Sequence, residues 1–215
     1  MPSRYELVIF DWDGTLMDTV GRIVSSWQSA SRDLNVTVPD SATIRRLIGL
    51  SMEACIEQVA PHLSCADKHQ FRERYRGYYL QAEQVPAPLF DGVPELLAQM
   101  NAQGHQLAVA TGKARHGLER VLDSSGLRHY FPYTRSASDT ESKPAPHMVL
   151  ELCEEAKVSP QRTLVVGDAW FDLEMARRAG ADSIGVRYGA GEADRLLEAK
   201  PKALIDRPLE LLRWL

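Results

Sequence analysis

The feature that most constrains the fold of this 215-residue chain is a set of four short apolar runs that do not alternate with polar residues, at 6–10, 106–110, 163–166 and 183–186. A strand with one wet face alternates, so a continuous run of this length predicts a strand buried on both faces. Patterns with helical spacing separate the runs, including 117–122, 146–156 and 171–179. Strands alternating with helices imply parallel βαβ units, and the expected class is α/β, a doubly wound Rossmann-like parallel sheet.

The alternation stops between about Thr19 and Gln84. That stretch offers helical patterns at 23–34, 42–48, 52–59 and 66–82, and no convincing strand. The segment that follows, "QVPAPLFDGV" at 84–93, carries two prolines and a D-G turn, which is the chemistry of a connection. The expected organisation is an inserted all-α cap at 17–88 that divides the sheet-bearing core into 1–16 and 89–215. No internal repeat or low-complexity segment interrupts it.

Composition narrows the partners. The chain is 44% hydrophobic and 25% charged with a net charge of -4, as an ordinary globular protein is, and it has no dense Lys/Arg block. A nucleic-acid partner is therefore not expected, and an anionic substrate must be held by local positive groups or a metal. The three cysteines, Cys55, Cys65 and Cys153, form no C-x-x-C pair, and their odd number argues against a disulfide framework, so a reducing, cytoplasmic compartment is expected. The first apolar run is too short for a secretory segment or a membrane span and is interrupted by Asp11, so no membrane association is expected.

That run, "LVIFDWDGTL" at 7–16, ends on two acids, Asp11 and Asp13, and then turns at Gly14. In open parallel sheets, ligands bind beyond the carboxyl ends of the strands, so residues that end a strand gather at one crevice. Asp11 ends the first run, Thr111 the second, and Asp168 the "LVVGD" run. Clustered carboxylates repel one another unless a cation joins them, and hard oxygen ligands suit Mg²⁺. A cation of this kind commonly meets phosphate as its other ligand. Lys143, in "SKPAP" ahead of a helical pattern with Pro144 at its entry, and the hydroxyl and open backbone of Thr111-Gly112 supply phosphate-binding groups. Gly14 lets the chain turn and bare its amides.

"DWDGTL" at 11–16, "ATG" at 110–112, "KP" at 143–144 and "GDAWFD" at 167–172 resemble, in order, the four motifs of the haloacid dehalogenase superfamily. An insertion directly after the first motif resembles the subfamily with a small α-helical cap, which includes phosphoglycolate phosphatases. The resemblance implies a Mg²⁺-dependent phosphatase acting on a small phosphorylated metabolite. By it, Asp11 is the nucleophile that forms an aspartyl phosphate, and Asp13 is the acid and base that protonates the leaving oxygen and then activates water. Metal ligands would be the carboxylate of Asp11, the carbonyl of Asp13, and Asp168, with Asp172 supporting or completing the shell. Thr111, Gly112 and Lys143 would bind the phosphoryl group. The chain departs from many members at Ala169, where Thr or Ser is usual; that touches a hydrogen bond around the metal rather than a ligand.

Each residue alone has a plainer reading. Asp13-Gly14 is a turn signal, Asp168 and Asp172 could cap helices, and Lys143 could be a solvated lysine. Trp27, Tyr75, Tyr78 and Tyr79 fit core packing of the insertion. "YGAGE", with Gly189 and Gly191, reads as a mobile loop. A dehalogenase is disfavoured because Asp13 is present. A sugar phosphomutase is disfavoured because "VGRIV" at 20–24 lacks the histidine such enzymes place there, and a receiver-like phospho-switch because receivers lack the insertion and the second acid. Either a monomer or a homodimer is compatible with the sequence.

Overall fold

The structure, a computed structural model, describes residues 4–83, 85 and 87–215. Strands β1 (Leu7–Phe10), β2 (Gln106–Thr111), β3 (Tyr133–Ser136), β4 (Thr163–Gly167), β5 (Asp182–Val186) and β6 (Ala203–Ile205) form one parallel sheet in the order β3-β2-β1-β4-β5-β6. The order runs outward in both directions from the centre, as a doubly wound sheet requires.

β1 shows why its run is apolar throughout. Val8 and Phe10 point into one cluster, with α5 (Val93–Ala102), α6 (Arg115–Ser125) and Leu211 near the C-terminus. Leu7 and Ile9 point into the opposite one, against α7 (His147–Ala156) and α8 (Trp170–Ala179). A last helix, α9 (Ala193–Glu198), packs Leu196 beside Leu173 of α8. Two strands, β3 and β6, were not expected from the sequence. Both are edges: β3 reads "YTRS" and is mostly half-buried, and β6 has three residues.

Residues 20–82 are helical: α1 (Val20–Asp33), α2 (Ser41–Arg45), α3 (Met52–Val59) and α4 (Cys65–Ala82), with no strand among the described residues. α2 is shorter than the expected 42–48. Its chain leaves the helix at Arg46, turns through Gly49 at φ 104°, and re-enters helix behind Ser51, whose hydroxyl accepts from Ala54 N. The turn buries Ile48 and Leu50 and sets the Gly49 and Leu50 carbonyls against Gly112. The helices share an apolar cluster built on Trp27, Ile44, Ile56 and Phe71. The two connections lie side by side, with Asp18 N donating to Pro88 O and Phe90 N to Leu16 O. Gln84, where the second connection was expected to start, and Pro86, one of its two prolines, lie outside the described residues.

Candidate active site

The carboxyl ends of β1 and β2 face the α1–α4 helices across a cavity of 370 Å³ lined by Asp11, Asp13, Thr111, Gly112 and Lys113 on the sheet side. Asp11 follows β1 and is 2% exposed. Its Oδ1 accepts from Lys143 Nζ at 2.6 Å, and the same ammonium reaches Asp172 Oδ1 at 2.5 Å. Oxygens of Asp11, Asp168 and Asp172 all lie within 4.8 Å of one another. Lys143 is itself buried, in the turn ahead of α7. Burial alone would lower its affinity for a proton; the facing Asp11 and Asp172 reverse that and hold the ammonium above its ordinary range.

One lysine does not neutralise three acids. Burial drives the Asp11 carboxyl well above the carboxylate range against the pull of Lys143, and Asp172, Asp168 and Asp13 add to the rise. Asp168 is pushed up to about 7, by burial first and then by Asp172. Asp11 Oδ2 is buried and finds no hydrogen-bond partner among the described residues. The surplus negative charge of three buried acids is what a divalent cation would relieve, and the donors are the hard oxygens that Mg²⁺ takes.

The backbone is shaped around this cluster. Gly14 sits at φ 81°, and a Cβ there would lie 2.1 Å from Asp168 Oδ2. Asp168 is oriented by Thr15 Oγ1, which donates to Oδ1, and by Ala190 N, which donates to Oδ2. The "YGAGE" glycines thus serve close approach: a Cβ on Gly189 would meet Gly14 O at 2.3 Å. Ala169, lacking a hydroxyl, takes part through its amide, which donates to Asp172 Oδ2 at the start of α8. Asp172 therefore caps a helix and faces the cluster at once.

Asp13 stands outside the carboxylate group. Its Oδ1 accepts from Thr19 Oγ1 at 2.6 Å and pairs with Lys113 Nζ at 2.9 Å. Lys113 also donates to the Tyr79 hydroxyl at 3.0 Å and lies over the Tyr79 ring. Burial would lower its proton affinity; Asp13 and Tyr79 outweigh that and raise it. Thr111 is buried, and its Oγ1 accepts from Lys113 N. The structure so brings Asp11, Asp13, Thr111, Gly112, Lys143, Asp168 and Asp172 to one place. Sequence reasoning missed Lys113, Thr15, Thr19, Tyr79 and Ala190. Lys113 was within reach, since it directly follows Thr111-Gly112; Tyr79 carried no signal beyond a helical aromatic.

Residues 8–186 match the family described as haloacid dehalogenase-like hydrolase. The chain is 37% identical over 207 residues to the probable phosphatase IndB of Dickeya dadantii, covering 93% of this chain and 89% of that one. It is 28% identical to phosphoglycolate phosphatase of Vibrio vulnificus over 98% of this chain and 96% of the other. A crystal structure described as a predicted phosphoglycolate phosphatase from Haemophilus somnus superposes with a TM-score of 0.85 at 26% identity, covering 98% of each chain. No helix among the described residues is long and apolar enough to cross a membrane. With the family matched across most of its length, the chain belongs to the haloacid dehalogenase-like hydrolases.

Proposed function

We propose that this protein is a Mg²⁺-dependent phosphatase that hydrolyses a phosphorylated metabolite through an aspartyl phosphate on Asp11. The observation that carries the reading is the buried, unpartnered Asp11 Oδ2 at the edge of the cavity, with Oδ1 of the same carboxylate tied to Lys143. A carboxylate fixed by one oxygen and unpaired at the other is positioned as a nucleophile, and phosphatase-named relatives support the reaction class.

Asp11, Asp168 and Asp172 would hold the metal, with the main-chain carbonyl of Asp13. Bound there, Mg²⁺ supplies charge stabilisation to the phosphoryl oxygens. The Asp11 carboxylate attacks phosphorus as the ester P–O bond breaks, and Asp13 gives its proton to the departing oxygen. Water then attacks the aspartyl phosphate, losing its proton to Asp13, and the Asp11–phosphorus bond breaks to release phosphate. Thr111 and the Gly112 backbone contact the phosphoryl group, and Lys143 offsets its charge while holding Asp11 in place. Thr19 fixes the Asp13 carboxylate. The helices over the cavity would act as a cap that excludes water, moving on the paired connections at 16–19 and 87–90.

Phosphate release from p-nitrophenyl phosphate tests this. Turnover is expected with Mg²⁺, to be abolished by chelator, and to fall by at least about 10³-fold in Asp11→Asn. Wild-type turnover in that variant would remove Asp11 from the nucleophile's role.

A further inference from the structure

The cavity has a floor, a wall and a rim of different chemistry, and the wall bears on which ester the site takes. The floor is the site described above. The wall, supplied by α1–α4 and the Ile48–Leu50 turn, is apolar: Ile23, Trp27, Leu47, Ile48, Leu50 and Met52 line it. The rim is charged, with two ion pairs and, beside them, His69 and His116. Arg72 pairs with Glu53 at 2.9 Å and Arg120 with Glu83 at 2.7 Å, while Arg76 and Glu73 bring one charge of each sign.

A leaving group whose ester oxygen meets Asp13 must extend from the floor along this wall. In a two-carbon phosphorylated acid the carboxylate lies two bonds from the ester oxygen, so it needs a cation beside Asp13. Among the described residues Lys113 is the cation paired there, and two of its three donors are already given to Asp13 and Tyr79. A carboxylate turned toward the wall would meet Ile48, Leu50 and Trp27, where an unpaired charge is costly. A cavity of 370 Å³ also exceeds what two carbons fill, and lies in the range, about 300–1,000 Å³, that encloses ring-bearing ligands.

We infer that the substrate is a phosphomonoester of a bulky, chiefly apolar, ring-bearing alcohol, whose ring lies against the Trp27 and Ile48–Met52 wall, and not a short phosphorylated acid. This rests on the phosphatase reading and specifies its leaving group.

The test compares ethyl phosphate, phosphoglycolate and 2-phenylethyl phosphate with Mg²⁺. All three are primary alkyl esters, so differences in kcat/KM report binding of the remainder more than leaving-group acidity. The phenylethyl ester is expected to exceed the ethyl ester by about 10- to 100-fold, the value of burying one ring, with phosphoglycolate no better than ethyl phosphate. Met52→Glu puts a charge on the wall at the first residue of α3, where an acid is compatible with the helix, and is expected to reduce the phenylethyl-to-ethyl ratio to below about 3. Equal values for the ethyl and phenylethyl esters, a preference for phosphoglycolate, or a ratio unchanged in Met52→Glu would overturn the inference and leave the phosphatase standing. Failure to hydrolyse all three esters and p-nitrophenyl phosphate would overturn the phosphatase itself.

Discussion

At the scale of single residues, the site is an arrangement of excess charge, and Asp168 measures it. Its carboxyl is raised to about 7 because the buried anion is costly beside Asp172. A carboxyl whose folded value lies above its unfolded value, about 3.9, binds its proton more tightly in the folded protein. The contribution of Asp168 to metal-free stability is therefore fullest below about pH 4, declines as pH rises toward 7, and is flat above that. Asp168→Asn removes this residue's share of the decline, and its amide can still accept from Ala190 N and donate to Thr15 Oγ1. In chelator at pH 8 the variant is expected to be more stable than wild type by about 2–4 kcal/mol, with near parity at pH 4–5. Mg²⁺ should raise the melting temperature of wild type and leave the variant nearly unmoved. Equal melting of the two in chelator at pH 8 would show that Asp168 does not carry the strain of the cluster. The same residue shows what the sequence makes legible. Asp11, Thr111 and Asp168 could be placed because each ends an apolar run, and strand ends converge. The groups that aim them could not: Thr15 and Ala190 flank Asp168 from 153 and 22 positions away, and no local pattern marks a partner at that distance.

Among the elements, the turn between α2 and α3 brings the helices of residues 20–82 into close contact with the end of β2. A Cβ on Gly112 would lie 2.5 Å from Leu50 O and 2.7 Å from Gly49 O. Both obstacles are backbone carbonyls, so the turn cannot yield by changing a rotamer. Gly112→Ala is expected to displace the 49–50 segment and lower kcat/KM by about 10²-fold, the cost of a misplacement near 1 Å, while far-UV circular dichroism stays native. Activity within twofold of wild type would mean that the turn does not set the geometry of the floor. Element type was readable where periodicity was strong: α3 and α4 lie within a residue of the expected bounds. β3 and β6 were hidden because edge strands need no continuous apolar run. The end of α2 was hidden because the burial of Ile48 and Leu50 in the turn that follows is tertiary.

Across the whole molecule, the question is what holds the helices over the site. Polar ties cross the boundary at Arg120–Glu83, Arg46–Glu192, Lys113–Tyr79 and Ser51–Ser142. Exposed pairs such as Arg46–Glu192 contribute about 0–1 kcal/mol each. The stronger link is apolar, because Ala169, Phe171 and Ala190 of the core belong to the same buried cluster as Trp27, Ile44 and Leu47. Phe171 is 6% exposed within that cluster, so the helices cannot part from the sheet without wetting it. Wild type is therefore expected to unfold in a single calorimetric transition, because Ala169, Phe171 and Ala190 are shared with the cluster of the helices. Phe171→Ala removes about 3–5 kcal/mol of that shared packing. The loss falls on the junction, so amides of α1 and α4 should exchange with solvent ahead of those of β1 and β4, and the calorimetric peak should broaden or split. Two transitions in wild type, or uniform destabilisation of both parts in the variant, would place the link elsewhere. Because Phe171 directly precedes Asp172, the junction that holds the helices down also sets the start of α8, where the carboxylate cluster gains its third member.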